Sequence, residues 1–205
     1  MKKLFWMPAA AVALFLMPEF AQAHFTLVEP ASWIVETNAL GDPQKLAPCG
    51  GTSQNAGTPT GALTEVMGGA SLHIKLRETV FHPGHYRVAL AVNSRSELPA
   101  DPEVTTRDTE KGPRSVSAKI MSPVAPPVLA DGLFVHTEKA PADTFFETDV
   151  RLPNINCAKC TVQIVEFMAE HGHNPDGDYS YHHCADLKIR ANPSLPIAKG
   201  WPGQS

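Results

Sequence analysis

The sequence predicts an all-β sandwich with long loops, on three observations. Nineteen prolines and 14 glycines are scattered between short apolar stretches. Almost no segment sustains the 3.6-residue apolar period of an amphipathic helix. The stretch Leu72-His73-Ile74-Lys75-Leu76-Arg77 alternates residue by residue instead, which puts Leu72, Ile74 and Leu76 on one face of a strand and His73 on the opposite, solvent side. Short strands punctuated by turn residues are the pattern of two packed sheets.

Residues 1–23 read as a secretory signal. Lys2 and Lys3 provide the positive start, Phe5 to Met17 an apolar core, and Ala21-Gln22-Ala23 the small-residue cleavage motif. The apolar run is too short to span a bilayer, and no later stretch is long and apolar enough for a membrane helix. The expected product is exported, either secreted or periplasmic, with no membrane span after cleavage. Removing 23 of 205 residues leaves 182, enough for one domain over 24–191 and a Pro-rich tail over 192–205 that reads as loosely attached coil. Without Lys2, Lys3 and Glu19, 15 basic and 20 acidic side chains remain, a formal charge of −5. With no basic cluster, that charge argues against nucleic acid as a partner and suits a neutral or weakly charged one.

The candidate strands are Thr26 to Val28, Ser71 to Arg77, Tyr86 to Val92, Ser115 to Ile120, Leu133 to Thr137, Phe145 to Leu152, Thr161 to Met168 and Ala185 to Arg190. Two long connections interrupt them. Residues 31–69 are rich in Gly, Pro, Asn and Thr and contain Pro48-Cys49-Gly50-Gly51. Residues 93–114 carry Ser94, Arg95, Glu97, Asp101, Glu103 and Asp108 and read as a solvated link. Loops of that length in a compact domain are usually functional or mobile.

All four cysteines follow the signal, so disulfides are the default expectation. The Cys157-x-x-Cys160 motif is open to a redox pair or half a zinc site, but no second such motif and no thioredoxin-like strand and helix accompany it. A structural Cys157 to Cys160 link is favoured, which leaves Cys49 to join Cys184.

The chemistry-bearing residues fall in three places. Cleavage after Ala23 makes His24 the first residue, whose α-amine and imidazole Nδ1 can close a chelate ring on one metal ion. The turn Phe81-His82-Pro83-Gly84-His85-Tyr86 opens a strand, with His82 just before the Pro-Gly corner. The third place is Tyr179-Ser180-Tyr181-His182-His183-Cys184. In a strand His182 and His183 point to opposite faces, so at most one approaches any site near Tyr181. No G-x-S-x-G elbow or well-placed acid pair supports hydrolysis.

His24-Phe25-Thr26, His82-x-Gly84-x-Tyr86, Cys157-x-x-Cys160-Thr161-Val162-Gln163 and Tyr181-x-x-Cys184-Ala185-Asp186-Leu187-x-Ile189 occur in that order. Together they resemble the lytic polysaccharide monooxygenases, secreted copper enzymes with an immunoglobulin-like β-sandwich. The resemblance implies copper held by a histidine brace: His24 as the bidentate ligand, His82 as the second imidazole and Tyr181 as the axial phenol. It also implies that His171 is an outer-sphere histidine. Three nitrogens in a plane with a distant axial oxygen suit copper(II), and imidazoles still hold copper(I). The implied oxidoreductase is monomeric, acts on a polysaccharide or other glycan, and takes electrons from an external donor.

The chain departs from that pattern at Tyr179, where many such enzymes carry glutamine or glutamate. His85 and His183, with Tyr179, are further second-sphere candidates, and Trp33 is a candidate sugar-contacting residue or a core tryptophan. A non-catalytic periplasmic copper carrier with the same brace is the competing reading. A disulfide-linked adhesion module without metal is the third.

Overall fold

The computed structural model describes residues 24–37, 40–41 and 44–204; the expected signal and cleavage motif lie outside them. The described residues form an all-β sandwich. One sheet is antiparallel and three-stranded, in the order β1 (His24–Glu29), β3 (Ser71–Val80), β8 (Phe146–Arg151). The other has five strands in the order β2 (Thr64–Met67), β10 (Ser180–Arg190), β9 (Cys157–Met168), β4 (Gly84–Ala91), β7 (Val128–His136). Its pairings are antiparallel except for β2, which runs parallel to β10 at the edge. A hairpin of β5 (Val104–Arg107) and β6 (Arg114–Ala118) stands apart.

The core lies between the two sheets. Phe25, Leu72, Ile74 and Leu76 from the first meet Tyr86, Val88, Leu90, Val162, Ile164 and Leu187 from the second. Each such side chain contributes about 1.5–3 kcal/mol on leaving water. The alternation of β3 is realised: Leu72, Ile74 and Leu76 are buried and His73 faces outward.

The middle of the five-stranded sheet behaves differently. Nearly every residue of β9 and β10 is buried, on both faces. Residues of the 31–51 connection cover the outer face: Trp33 N–H donates to the Cys184 carbonyl at 3.0 Å, His182 N–H to that of Gln44 at 2.8 Å, and Gln163 Nε2 to that of Pro48 at 2.9 Å. Burial on both faces is why the stretch Thr161 to Met168 carries Val162, Ile164, Val165, Phe167 and Met168 on both sides of the strand and no simple apolar–polar alternation.

Three expectations change. The connections 31–69 and 93–114 contain the short strands β2 and β5, whose half-exposed residues carry no clear alternation. The last strand begins at Ser180, five residues before the predicted start, because paired histidines there are buried rather than solvated. The C-terminal segment is no loose coil. Trp201 is 9% exposed and joins the core, while Asn154 Nδ2 donates to the carbonyls of Asn192, Leu195 and Pro196. No helix among the described residues is long and apolar enough to cross a membrane.

Candidate functional site

His24 opens β1, in register with Val80 at the end of β3. The Thr79 hydroxyl lies 2.9 Å from the His24 carbonyl oxygen and also reaches the Leu40 carbonyl. Two residues beyond β3 the chain reaches His82, whose N–H donates to Glu78 Oε1 at 3.0 Å. The Pro83-Gly84 corner then presses against β9: a Cβ on Gly84 would sit 1.9 Å from the Phe167 carbonyl oxygen, so only glycine fits. The ends of β1, β3 and β4 thus bring His24 and His82 to one end of the sandwich.

Tyr181 and His171 complete the group. The His24 ring meets Tyr181 edge-on at 5.5 Å between centroids. Tyr181 is 6.4 Å from His171, and His171 is 5.1 Å from His82. The contacts run His24, Tyr181, His171, His82, and His24 adds the weakest of the charges that disfavour His82 protonation. His171 follows β9 and is pinned by Ser115 of β6: Ser115 Oγ accepts the His171 N–H at 3.0 Å and donates to the Met168 carbonyl. This segment covers the turn, so His82 is only 7% exposed although it stands beside a Pro-Gly corner.

The electrostatics favour neutral groups. Burial, with His171, Arg114 and His24 nearby, pushes the His82 pKa down to about 4 despite the opposing Val80 carbonyl. His82 is therefore a neutral imidazole near pH 7, the form that can offer a lone pair. Burial, and then the nearby Glu166 carboxyl, holds the Tyr181 phenol well above its usual value and keeps it protonated. His82 Nδ1 and the Tyr181 hydroxyl are both buried without a hydrogen-bond partner. Each such group costs about 1–3 kcal/mol unless something else satisfies it. A metal ion bound by imidazole, with a phenol nearby, fits that need.

The remaining candidates are spread more widely. His182 and His183 are both fully buried. His182 Nε2 lies 2.7 Å from Asp101 Oδ1 and its Nδ1 3.3 Å from the Gln44 carbonyl. His183, on the Tyr181 face, has its Nε2 2.9 Å from Glu36 Oε1 and 3.2 Å from the Phe25 carbonyl. His85 packs on Phe167 at 5.2 Å, with Asp131, Arg87 and His136 as its charged neighbours, away from the four rings. Tyr179 meets His173 at 6.3 Å. Trp33 is half-buried, its indole N–H donating to the Cys49 carbonyl at 2.7 Å and the Arg95 guanidinium stacked 4.0 Å from its ring. The disulfides are Cys49 with Cys184 and Cys157 with Cys160.

Sequence reasoning passed over several polar residues of this region. Glu166, in register between Tyr181 on β10 and Tyr86 on β4, is fully buried. Burial, with Glu78 adding to it and Tyr86 opposing, raises its pKa well above the usual carboxyl range. An acid at an inward position of the apolar run Val162 to Met168 was the available signal. Ser115 gave none, because its partners are distant in sequence, and neither did the pairing of Glu78 with His136, 58 residues on. A cleft of about 320 Å³ opens beside Glu78 and Phe81, lined also by Leu40, Arg77, Lys139 and Asp143.

Among the described residues, no group of three or more His, Cys, Asp or Glu side chains is arranged to hold a metal ion. The chain matches no family model and no curated protein.

Proposed function

We propose that the protein is an exported mononuclear copper protein of the lytic polysaccharide monooxygenase type. One observation carries this reading: His24, His82, His171 and Tyr181, from four separate parts of the chain, meet at one end of the sandwich, with His82 Nδ1 and the Tyr181 hydroxyl buried and unsatisfied. His24 would supply its ring and, after processing, its α-amine. His82 would supply a neutral imidazole, and Tyr181 a protonated phenol nearby. His171, beside both, is placed to hold a proton at the edge of the site. Copper bound there would supply one-electron activation of dioxygen or peroxide for oxidation of a glycosidic carbon, the electron coming from a small reductant or partner protein.

The second reading is a copper carrier without oxygenase activity. The fixing of Trp33 between Cys49 and Arg95, and Tyr179 in the place of a glutamine or glutamate, favour it. To test both, the processed, copper-loaded protein is incubated with reductant and a glycan panel, and products are read by mass spectrometry. Oxidised oligosaccharides are the expected result. Tight copper binding with no oxidised product from any glycan would turn the assignment to the carrier.

A further inference from the structure

The two candidate ligand histidines are gripped by consecutive residues of one strand. At the end of β3, Glu78 Oε1 accepts the His82 N–H at 3.0 Å, and the neighbouring Thr79 hydroxyl, its single proton shared between two acceptors, lies 2.9 Å from the His24 carbonyl oxygen and also reaches the Leu40 carbonyl. Glu78 is itself held. His136, at the end of β7 and in register with Gly84, has its Nε2 3.1 Å from Glu78 Oε1 and its Nδ1 2.8 Å from the Phe134 carbonyl. The carbonyl only accepts, so Nδ1 carries a proton. Packing fixes the ring of His136 further: it stacks on Tyr86 at 6.3 Å and lies 5.3 Å from Phe146. The side chains of His136 and Glu78 are only 10% and 5% exposed.

We propose that Glu78, clamped by His136, is the positioning residue for His82, and that Thr79 does the same for His24, so that the end of β3 sets the separation of the two imidazoles. Neither residue touches the presumed metal. Both act on the main chain of a residue that would, which is how a second shell orients a first. This rests on the copper-binding reading above. Alternation explains why two adjacent residues can serve two histidines: Glu78 and Thr79 leave the strand on opposite sides and reach different neighbours, one the turn before β4 and the other β1.

The test uses the processed full chain with copper(II) alone as the probe. Metal-free protein is read first, by hydrogen exchange at the His82 amide. Glu78→Leu is expected to lose protection there, while Glu78→Gln, which keeps an oxygen acceptor, retains it. With copper(II), Glu78→Leu should weaken binding by ~10- to 100-fold, the usual scale for such partners, and shift the electron paramagnetic resonance parameters. Glu78→Gln should recover most of both. Should Glu78→Leu not fold, Thr79→Val removes the hydroxyl shared by the His24 and Leu40 carbonyls and should shift the spectrum by itself. Unchanged amide protection in folded Glu78→Leu, or an unchanged spectrum in both Glu78→Leu and Thr79→Val, overturns the proposal. If the amide responds as expected but the wild-type protein takes up no copper, the copper reading fails and the clamp on the His82 main chain stands.

Discussion

On β10, His182 and His183 are fully buried, and in the turn ahead of β4 His82 is 7% exposed, so burial alone does not separate them. Their neighbours do. Each β10 histidine faces a carboxylate, Asp101 for His182 and Glu36 for His183, and each also faces a carbonyl. The two carboxylates lie in the connections 31–69 and 93–114, so the two rings act as brackets that fasten long loops onto β10. His82 instead faces His171, Arg114 and His24, all of which oppose its protonation, and its Nδ1 has no partner. A buried histidine that meets both a carboxylate and a carbonyl is satisfied without a metal. One held neutral with an idle nitrogen is a candidate ligand.

Three experiments would break or sharpen that contrast. The largest effect should come from the tether over β10. Cys49 and Cys184 are 135 residues apart, and by the chain-entropy model such a link contributes roughly 5 kcal/mol, against ~2 kcal/mol for a loop as short as that between Cys157 and Cys160. Cys49→Ala with Cys184→Ala should therefore lower the denaturant midpoint much more than Cys157→Ala with Cys160→Ala. The reverse order would mean that the covering loop is held by its hydrogen bonds, His182 included, and not by the disulfide.

Next comes a paired substitution. His182→Ala should destabilise by ~3 kcal/mol, through the cavity and an Asp101 left without its charged or polar partner. It should leave copper(II) affinity unchanged. His82→Ala should do the opposite, weakening copper(II) binding by more than ~100-fold, beyond the scale of second-shell losses, with a smaller change in unfolding free energy. Chemical denaturation and chelator-competition titration read the two quantities. If His182→Ala costs copper affinity and His82→Ala does not, the bracket and the ligand have been assigned the wrong way round.

The two regions were also unequally legible in the sequence. The sandwich itself was readable, because β3, facing water on one side, alternates cleanly. The spacing of the cysteines and the histidine patches was readable too. The burial of His82 was not, since it depends on the segment after β9, pinned by Ser115 from a hairpin more than 50 residues away. Nor were the roles of His182 and His183, whose carboxylates come from connections with no regular pattern. The C-terminal segment was misread for the same reason: its prolines suggest loose coil, but Trp201 finds a place in the core and Asn154 holds the carbonyls of the chain leading to it. Local pattern reports which face a residue takes; it does not report what a distant loop brings to that face.

The smallest effect should be at His73, which shows what a carboxylate-paired histidine does when water can reach it. His73 sits on the outer face of β3, its Nδ1 3.0 Å from Asp149 Oδ1 and its Nε2 3.2 Å from Glu147 Oε2 on β8. Lys75 also reaches Glu147, at 2.9 Å, and Glu29 adds a more distant negative charge. The hydrogen bond to Asp149 is the main cause that raises the His73 pKa above 6.5, with desolvation opposing it. Because the folded value is the higher one, any stabilisation is complete below pH 6.5 and disappears as pH rises through the folded pKa. At so exposed a position solvent and salt screen the pair, and its share of folding stability should be too small to detect. The measurement is therefore a site-resolved titration: the ring signals of His73 should titrate above 6.5 in the wild-type protein, and Asp149→Asn should move the midpoint down. A midpoint that stays put in Asp149→Asn would show that the carboxylate opposite is not what holds the proton, and would weaken the use of carboxylate partners to read His182 and His183 as brackets.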